Sequence, residues 1–510
     1  MSIAEIRVDD LPVVDTEVLV VGAGPTGLMA GLVLSRRGVP AVVIDRKAGP
    51  TRESKALAVQ SRSMEIYDQL GLADAVLDVA YPAMSMKIGN PTSADGPGVA
   101  EAIGSATRFP GMQIFEQSLN ETLLTETLSG EGGDIRWRHR LVDLVDKTRE
   151  PGGRVEAILE SEDEGTLQRI RARWCIGADG ASSTVRRLLN LPFEGSTDDA
   201  TFWVADVRDL KGVPEGAMNL RVGKSLFGVV FPMGPGGHAR LAALAPTDEI
   251  TQDEALGSLY DEFGLTYGAV DWFSCYRVHH RVATKFRVGS IFLAGDAGHV
   301  HSPFGAQGMN TGLQDAHNLA LLLADVEQGR VKAGALDRYE RERRPIATKL
   351  VNVTDRLFGF VGRRTRPAQL VRKCVLPLIS KANIGSFGSG LLGQYRVHYR
   401  FADDKNPPIW AQDPAVGRRV PPVADNQHAL RPMNWQLHTY GAGTVARPDM
   451  PNWVAGPTDF GVDPQGRLRS DRLYLIRPDQ FVAASIPLQG KTVDDAQLHA
   501  AITAHLLEIS

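Results

Sequence analysis

The sequence predicts an α/β protein built on a Rossmann-like dinucleotide-binding unit. Three observations carry this: a glycine-rich turn between an apolar strand and a helix near the N-terminus, an acidic residue closing the next strand, and two later strand–turn–helix segments. The 510 residues are 43% apolar and 23% charged, which supports about two to four domains with sizeable cores. With 56 basic against 60 acidic residues the formal charge is −4. The basic footprint of a nucleic-acid binder is absent, and no Lys/Arg-rich run replaces it.

The first element is the apolar run Glu17 to Val21, the pattern of a parallel strand covered on both faces. Gly22-Ala-Gly24-Pro25-Thr26-Gly27 follows, matching G-x-G-x-x-G, and Leu28 to Arg37 reads as a helix closed by Gly38 and Pro40. Gly22 permits the turn, Gly24 lets backbone approach a pyrophosphate, and Gly27 lets the helix pack against the sheet. The helix start offers N–H groups and the positive end of its dipole to phosphates. A second strand, Ala41 to Ile44, ends at Asp45, where a carboxylate accepts from ribose hydroxyls. Val18 to Leu34 is uncharged, but its glycines and Pro25 break it as a spanning helix.

Two further segments repeat the pattern. Cys175-Ile-Gly177-Ala-Asp179-Gly180 leads into a helix start with Ser182 and Ser183 as capping candidates. Downstream, a strand at Ser290 to Ala294 runs into Gly295-Asp296, then a glycine-rich loop through His299, His301, Pro303 and Gln307. A long helix follows from about Asn310 to Glu327. A carboxylate at the strand end suits sugar-alcohol hydroxyls, and loop N–H groups with a helix N-terminus suit a planar, anionic ring.

Taken together, these motifs resemble the class A flavoprotein monooxygenases, the FAD-dependent aromatic hydroxylases of the p-hydroxybenzoate hydroxylase fold. The resemblance covers nearly the whole chain, and the G-D segment is its most specific part. It implies a Rossmann-like FAD-binding domain of the GR2 type, with an interleaved β-sheet substrate domain. The expected division is residues 1–190 and 288–400 for the FAD-binding domain and its helical region, with 191–287 as the substrate sheet. Residues 401–510 are expected to form a thioredoxin-like α/β domain like that of the longer phenol and polyketide hydroxylases. That segment holds no cysteine, so thiol redox chemistry there is excluded.

Carried over by position, Gly22, Gly24, Pro25, Thr26, Gly27, Asp45 and Arg46 resemble the ADP-binding part of the FAD site. Gln117 resembles the family glutamine at the start of a helix, and Asp179 with Gly180 the D-G pair that supports FAD and NAD(P)H contacts. Gly295 and Asp296 resemble the turn whose carboxylate holds the ribityl chain. Pro303, Gly308, Met309 and Asn310 resemble the loop and helix start bordering the isoalloxazine ring, which makes Asp296 and Pro303 the catalytic candidates. His301 is a candidate phenol base, and His299 reads as structural within the motif. Lys55 stands where the family usually has an arginine near the pyrophosphate; it keeps the charge and loses the planar fork. Gly298 and Ala306 are small-for-small exchanges in the G-D loop.

The activity so implied is NAD(P)H-dependent hydroxylation of a phenolic or polyketide aromatic by O₂ through a flavin C4a-hydroperoxide. The protein's own tasks are to hold the substrate and exclude water. On this scaffold a Baeyer–Villiger insertion, an epoxidation or a flavin-binding sensor stays open; a halogenase is disfavoured because W-x-W-x-I-P is absent. The choice of NADH or NADPH stays open too. Within the substrate sheet, Leu226 to Pro232 and His238 to Leu244 read as strands, and Arg221, Phe227, Phe231 and Tyr267 are candidates to line a pocket.

The remaining segments read more plainly. Arg338 to Arg344 alternates in charge and suggests a solvated helix face. Leu357 to Val361 and Cys374 to Ile379 suit either a homodimer face or core packing. Three scattered cysteines and an acidic N-terminus without a basic leader pattern fit a cytoplasmic protein with no metal site, nucleic acid or membrane partner.

Overall fold

The computed structural model describes residues 10–52, 56–88, 106–222, 227–245, 250–301, 307–362, 394, 396–399 and 407–508. Its centre is a sheet whose main path runs Arg287–Val288, Ile291–Leu293, Leu167–Gly177, Val13–Val21, Ala41–Asp45, Asp134–Trp137. A hairpin of His139–Asp146 and Val155–Ser161 joins through Leu167–Gly177. Apart from Arg287–Val288 the path strands are parallel, and their registers match at one end. Val21 lies opposite Ile44 and Gly177, and Gly177 opposite Leu293. The turns that follow therefore share one edge, which brings together glycine, D-G and G-D motifs lying far apart in the chain. The crevice at the carboxyl ends of parallel strands is where such folds bind ligands.

Helix Pro25–Arg36 and helix Gly308–Glu327 pack against each other beside this sheet. Both begin earlier than the sequence periodicity suggests. Pro25 fits the first turn because its missing N–H is not needed there.

The second sheet runs His299–Val300, Val270–Ala283, Phe193–Val207, Ala239–Leu244, Phe227–Pro232, Ala217–Val222, Ser85–Ile88. Alternation divides its faces. Trp203, Ala205, Val207, Leu241 and Ala243 pack with Ala255, Leu256 and Leu259 of helix Gln252–Phe263 into a closed apolar core. The opposite face, with Phe202, Val204, Ala242 and Tyr276, turns toward the strand-end crevice.

Residues 407–508 form a mixed five-stranded sheet in the order Ala455–Asp459, Gln436–Thr439, Arg472–Ile476, Val482–Gln489, Thr492–Val493, followed by helix Asp495–Ala504. Trp435, Leu437 and Leu475 join the same core cluster as the central sheet. Buried charges cross the junction. Arg37 donates to Asp325 (2.8 Å) and to the Met433 carbonyl (2.5 Å), and Trp435 Nε1 donates to Asp325 (2.7 Å).

The expectation of a solvated face at Arg338 to Arg344 is corrected here. Arg343 is 1% exposed and binds Asp315 at 2.6 Å, while Glu342 is buried and receives Arg477 at 2.5 and 2.8 Å. Alternating charge is a signature of ion pairing, and in this helix the partners are buried side chains of other elements. Of the suggested partner face, Cys374 to Ile379 lies outside the described residues. Leu357 to Val361 falls within helix Asp337–Gly362, but their side chains are likewise outside the description.

Candidate active site

One cavity of about 1140 Å³ runs from the strand-end turns to the open face of the second sheet. Gly22, Gly24, Pro25, Thr26, Asp45, Arg46, Gln117, Asp179, Gly180, Asp296, His301, Gly308, Met309 and Phe231 all stand on its wall.

The nucleotide end is built on exposed backbone donors. Helix Pro25–Arg36 has no side-chain cap at Gly24, so its first-turn N–H groups face the cavity without a protein partner from a capping residue. Gly22 adopts φ +107°, and a Cβ there would stand 2.3 Å from the Ala178 carbonyl. Asp45 accepts from the backbone N–H of Ala23 (2.7 Å) and Lys47 (2.8 Å), which fixes its carboxylate at the strand end. Gln117 donates to Glu121 Oε1 (2.9 Å). Fully buried Glu121 also receives Lys47 Nζ (3.0 Å) and the Thr51 N–H (2.7 Å). Glu121 belongs to no motif in the sequence, and the signal that points to it is its i, i+4 spacing from Gln117.

Asp179 is turned inward. It accepts from Ser183 Oγ (2.5 Å) and the N–H groups of Thr184 (2.6 Å) and Val185 (3.1 Å). Burial raises its pKa, and these hydrogen bonds oppose that rise. Ser183 caps the short helix Thr184–Leu188. Arg186 donates to the carbonyls of Ala181 and Ala297, both at 2.7 Å, tying the D-G turn to the G-D turn.

At the middle of the cavity, Asp296 projects from a 3-10 turn, Gly295–Ala297. Asp315 supports this turn from behind. It accepts from the Gly295 N–H (3.1 Å), lies 2.8 Å from His299 Nε2, and receives Arg343 at 2.6 Å. Burial pushes the Asp315 pKa up, but the Arg343 and His299 partners hold it below the usual carboxylate value. Helix Gly308–Glu327 also starts without a side-chain cap. Two uncapped helix starts thus meet one cavity, where a diphosphate and an anionic ring need positive potential. FAD fits this donor set.

Several candidates sit elsewhere. Gly27 packs the helix onto the turn, since a Cβ would lie 1.8 Å from the Gly22 carbonyl. Asn310 is fully buried and clamps strand Ala58–Gln60, accepting from the Gln60 N–H (2.8 Å) and donating to the Ala58 carbonyl (2.7 Å). Its helical phase turns the side chain away from the cavity wall. Gly295 forms the turn at φ +59°. Lys55, Pro303 and Ala306 lie outside the described residues, as does the side chain of Phe227.

Two pocket assignments are corrected. Met218 and Leu220 face the cavity, so Arg221 falls on the other side of its strand, where it donates to Asn219 and the Gly212 carbonyl. Tyr267 lies in a loop, 37% exposed and off the cavity wall. The wall instead holds Phe202, Tyr276 and Arg240. Phe202 and Tyr276 are cross-strand partners whose rings stack with centroids 6.2 Å apart.

Fold and cavity together define a FAD-dependent monooxygenase. Residues 15–354 match the FAD binding domain family (FAD_binding_3), and the chain belongs to it. It is similar to the 6-methylpretetramide 4-monooxygenase of Streptomyces rimosus, with 36% identity over 96% of this chain and 94% of that one. The pentachlorophenol 4-monooxygenase of Sphingobium chlorophenolicum is 34% identical over 68% of this chain and 65% of that one. Among solved structures, the OxyS anhydrotetracycline hydroxylase from Streptomyces rimosus superposes with a TM-score of 0.78 at 25% identity, covering 97% and 99% of the two chains. These relatives are aromatic and polyketide monooxygenases, and they support aromatic hydroxylation as the general chemistry. No helix among the described residues is long and apolar enough to cross a membrane.

Proposed function

We propose that the protein hydroxylates a phenolic, multi-ring aromatic with electrons from NAD(P)H. The observation that carries this reading is the single cavity. Its volume of about 1140 Å³ lies above the roughly 300–1,000 Å³ of an ordinary small-ligand site, and it joins the glycine-rich turns to the apolar sheet face, which supports a dinucleotide at one end and a second molecule at the other.

Bound FAD would supply the oxygen-transfer chemistry, the insertion of one atom of O₂ into the ring with electrons from NAD(P)H. The balance is NAD(P)H, H⁺, O₂ and ArH giving NAD(P)⁺, H₂O and ArOH. The chain's residues do the rest. The start of helix Pro25–Arg36, with Lys55, holds the pyrophosphate, and Asp45 takes the ribose hydroxyls. Gln117, oriented by Glu121, contacts the cofactor from the side, and Asp179 with Gly180 shapes the floor. Asp296 takes the ribityl chain, while Pro303, Gly308 and Met309 border the ring. His301, on the wall beside that border, is the residue that takes the phenolic proton. Apolar side chains of the sheet face, among them Phe231, exclude water around the reacting ring.

The test is NAD(P)H oxidation by the FAD-loaded protein across a panel of one- to four-ring phenols, with H₂O₂ counted in the same assay. One compound that speeds oxidation sharply with little peroxide identifies a coupled hydroxylase. Oxidation unchanged by every compound overturns the reading.

A further inference from the structure

We propose that Val204, Ala242, Val229 and Leu220 form a trough across the strands of the second sheet, in which the fused rings of the substrate lie end to end, the reacting ring over Val204. This rests on the hydroxylase reading and adds how the site measures the length of a ring system.

The four side chains stand in one row on four adjacent strands. Val204 is the cross-strand partner of Ala242, Ala242 of Val229, and Val229 of Leu220. All four line the cavity. Three interstrand steps of about 4.8 Å make the row about 14 Å long, a length that a linear fused-ring system fills and a single phenol does not. Side chains two residues away on the same face form its banks. Phe202 and Leu244 pair on one side, and Phe231 clusters with Met218 on the other. Val229 packs against both clusters. Ala242 is the low point of the row, and it, Val229 and Leu220 are only half-buried. A floor of small aliphatic groups between bulky banks gives a flat molecule one direction in which to lie.

The row has a reactive end. Strand His299–Val300 pairs with Val270–Ala283, which neighbours Phe193–Val207, and the cavity wall continues there through His301. Val204 is therefore the member of the row nearest the G-D loop, and Leu220 the farthest. Rings beyond the reacting one extend over Ala242 and Val229 toward Leu220.

The experiment is equilibrium dialysis of the FAD-loaded protein against 1,8-dihydroxyanthraquinone and resorcinol, for wild type and Val229→Phe, with FAD content measured in each. Resorcinol is expected to bind wild type at least about tenfold more weakly than the anthraquinone, because one ring covers little of the floor. Val229→Phe fills the row two strands from Val204. It is expected to raise the anthraquinone dissociation constant at least about tenfold and to change that of resorcinol about twofold or less. If Val229→Phe fails to load FAD, Ala242→Leu is used with the same expectation for the anthraquinone. Wild type that binds both compounds equally, or a variant that loads FAD and binds the anthraquinone like wild type, overturns the trough alone. Wild type that does not retain the anthraquinone overturns the trough and the multi-ring hydroxylase reading together.

Discussion

Replacing Gly24 and Gly27 by alanine, one at a time, separates cofactor approach from helix packing. A Cβ on Gly27 would stand 1.8 Å from the Gly22 carbonyl oxygen and 2.9 Å from its carbon, whereas Cβ atoms essentially never come within 3.0 Å of a neighbour. Helix and turn must part by roughly 1 Å or more, and overpacking of this kind costs about 1–3 kcal/mol. At Gly24 the nearest atom is Glu121 Oε1 at 4.0 Å, and the backbone is extended at φ −82°. The fold has room for that methyl, but the methyl stands where a phosphate is expected. Losing one charge-assisted hydrogen bond there, worth about 1.5–3 kcal/mol, raises the FAD dissociation constant roughly 10- to 100-fold. The assay is thermal melting of the deflavinated variants alongside FAD titration by fluorescence quenching. Gly27→Ala should lower both melting temperature and affinity; Gly24→Ala should lower affinity alone. A Gly24→Ala protein that binds FAD like wild type would refute the phosphate assignment, and an unshifted Gly27→Ala melt would refute the packing argument.

Three further outcomes are expected. Asp296→Ala should purify with less flavin and turn over more slowly, at an unchanged fold by circular dichroism; full flavin with full activity would remove the G-D turn from the ring site. Arg37→Ala leaves Asp325 buried beside Trp435 without its cation, which should cost about 3–5 kcal/mol in urea unfolding. An unmoved transition would show that the charge junction does not hold residues 407–508 in place. His438 is held near 3 by burial, against an ordinary 6.5, so the unfolded chain binds a proton that the folded chain refuses. Its contribution is complete above pH 6.5 and falls as pH drops, by about 1.4 kcal/mol per unit down to the folded value. The stability advantage of wild type over His438→Gln should therefore shrink by that slope between about pH 6 and 5 in denaturant titrations, and a constant difference would show that His438 titrates normally.

The cofactor half of the site was legible because its chemistry is local. Gly22 through Gly27 and Asp45 need only a strand, a turn and a helix at fixed spacing, and the register of the parallel strands then gathers the distant motifs. The substrate half was not, because its wall is chosen by cross-strand alternation. Arg221 is a reasonable pocket arginine by composition, but it shares a strand side with Asn219 while Leu220 faces the cavity. Phe202 and Tyr276 meet only through pairing of strands far apart in sequence. The Arg338 to Arg344 stretch misled for a related reason. A helix that pairs with Asp315 and Arg477 inside the protein carries the same alternation as one facing water.

The two-sided second sheet also sets how this enzyme can change over generations. Positions such as 203, 205, 230, 241 and 243 hold the sheet to its helix, and positions such as 202, 204, 220, 231 and 242 line the cavity. Inheritance of the scaffold and choice of the molecule it works on are thus written on alternate letters of the same strands. A lineage, or a mutant library confined to the cavity-facing letters, can drift among differently shaped ring systems while the scaffold beneath goes on folding as before.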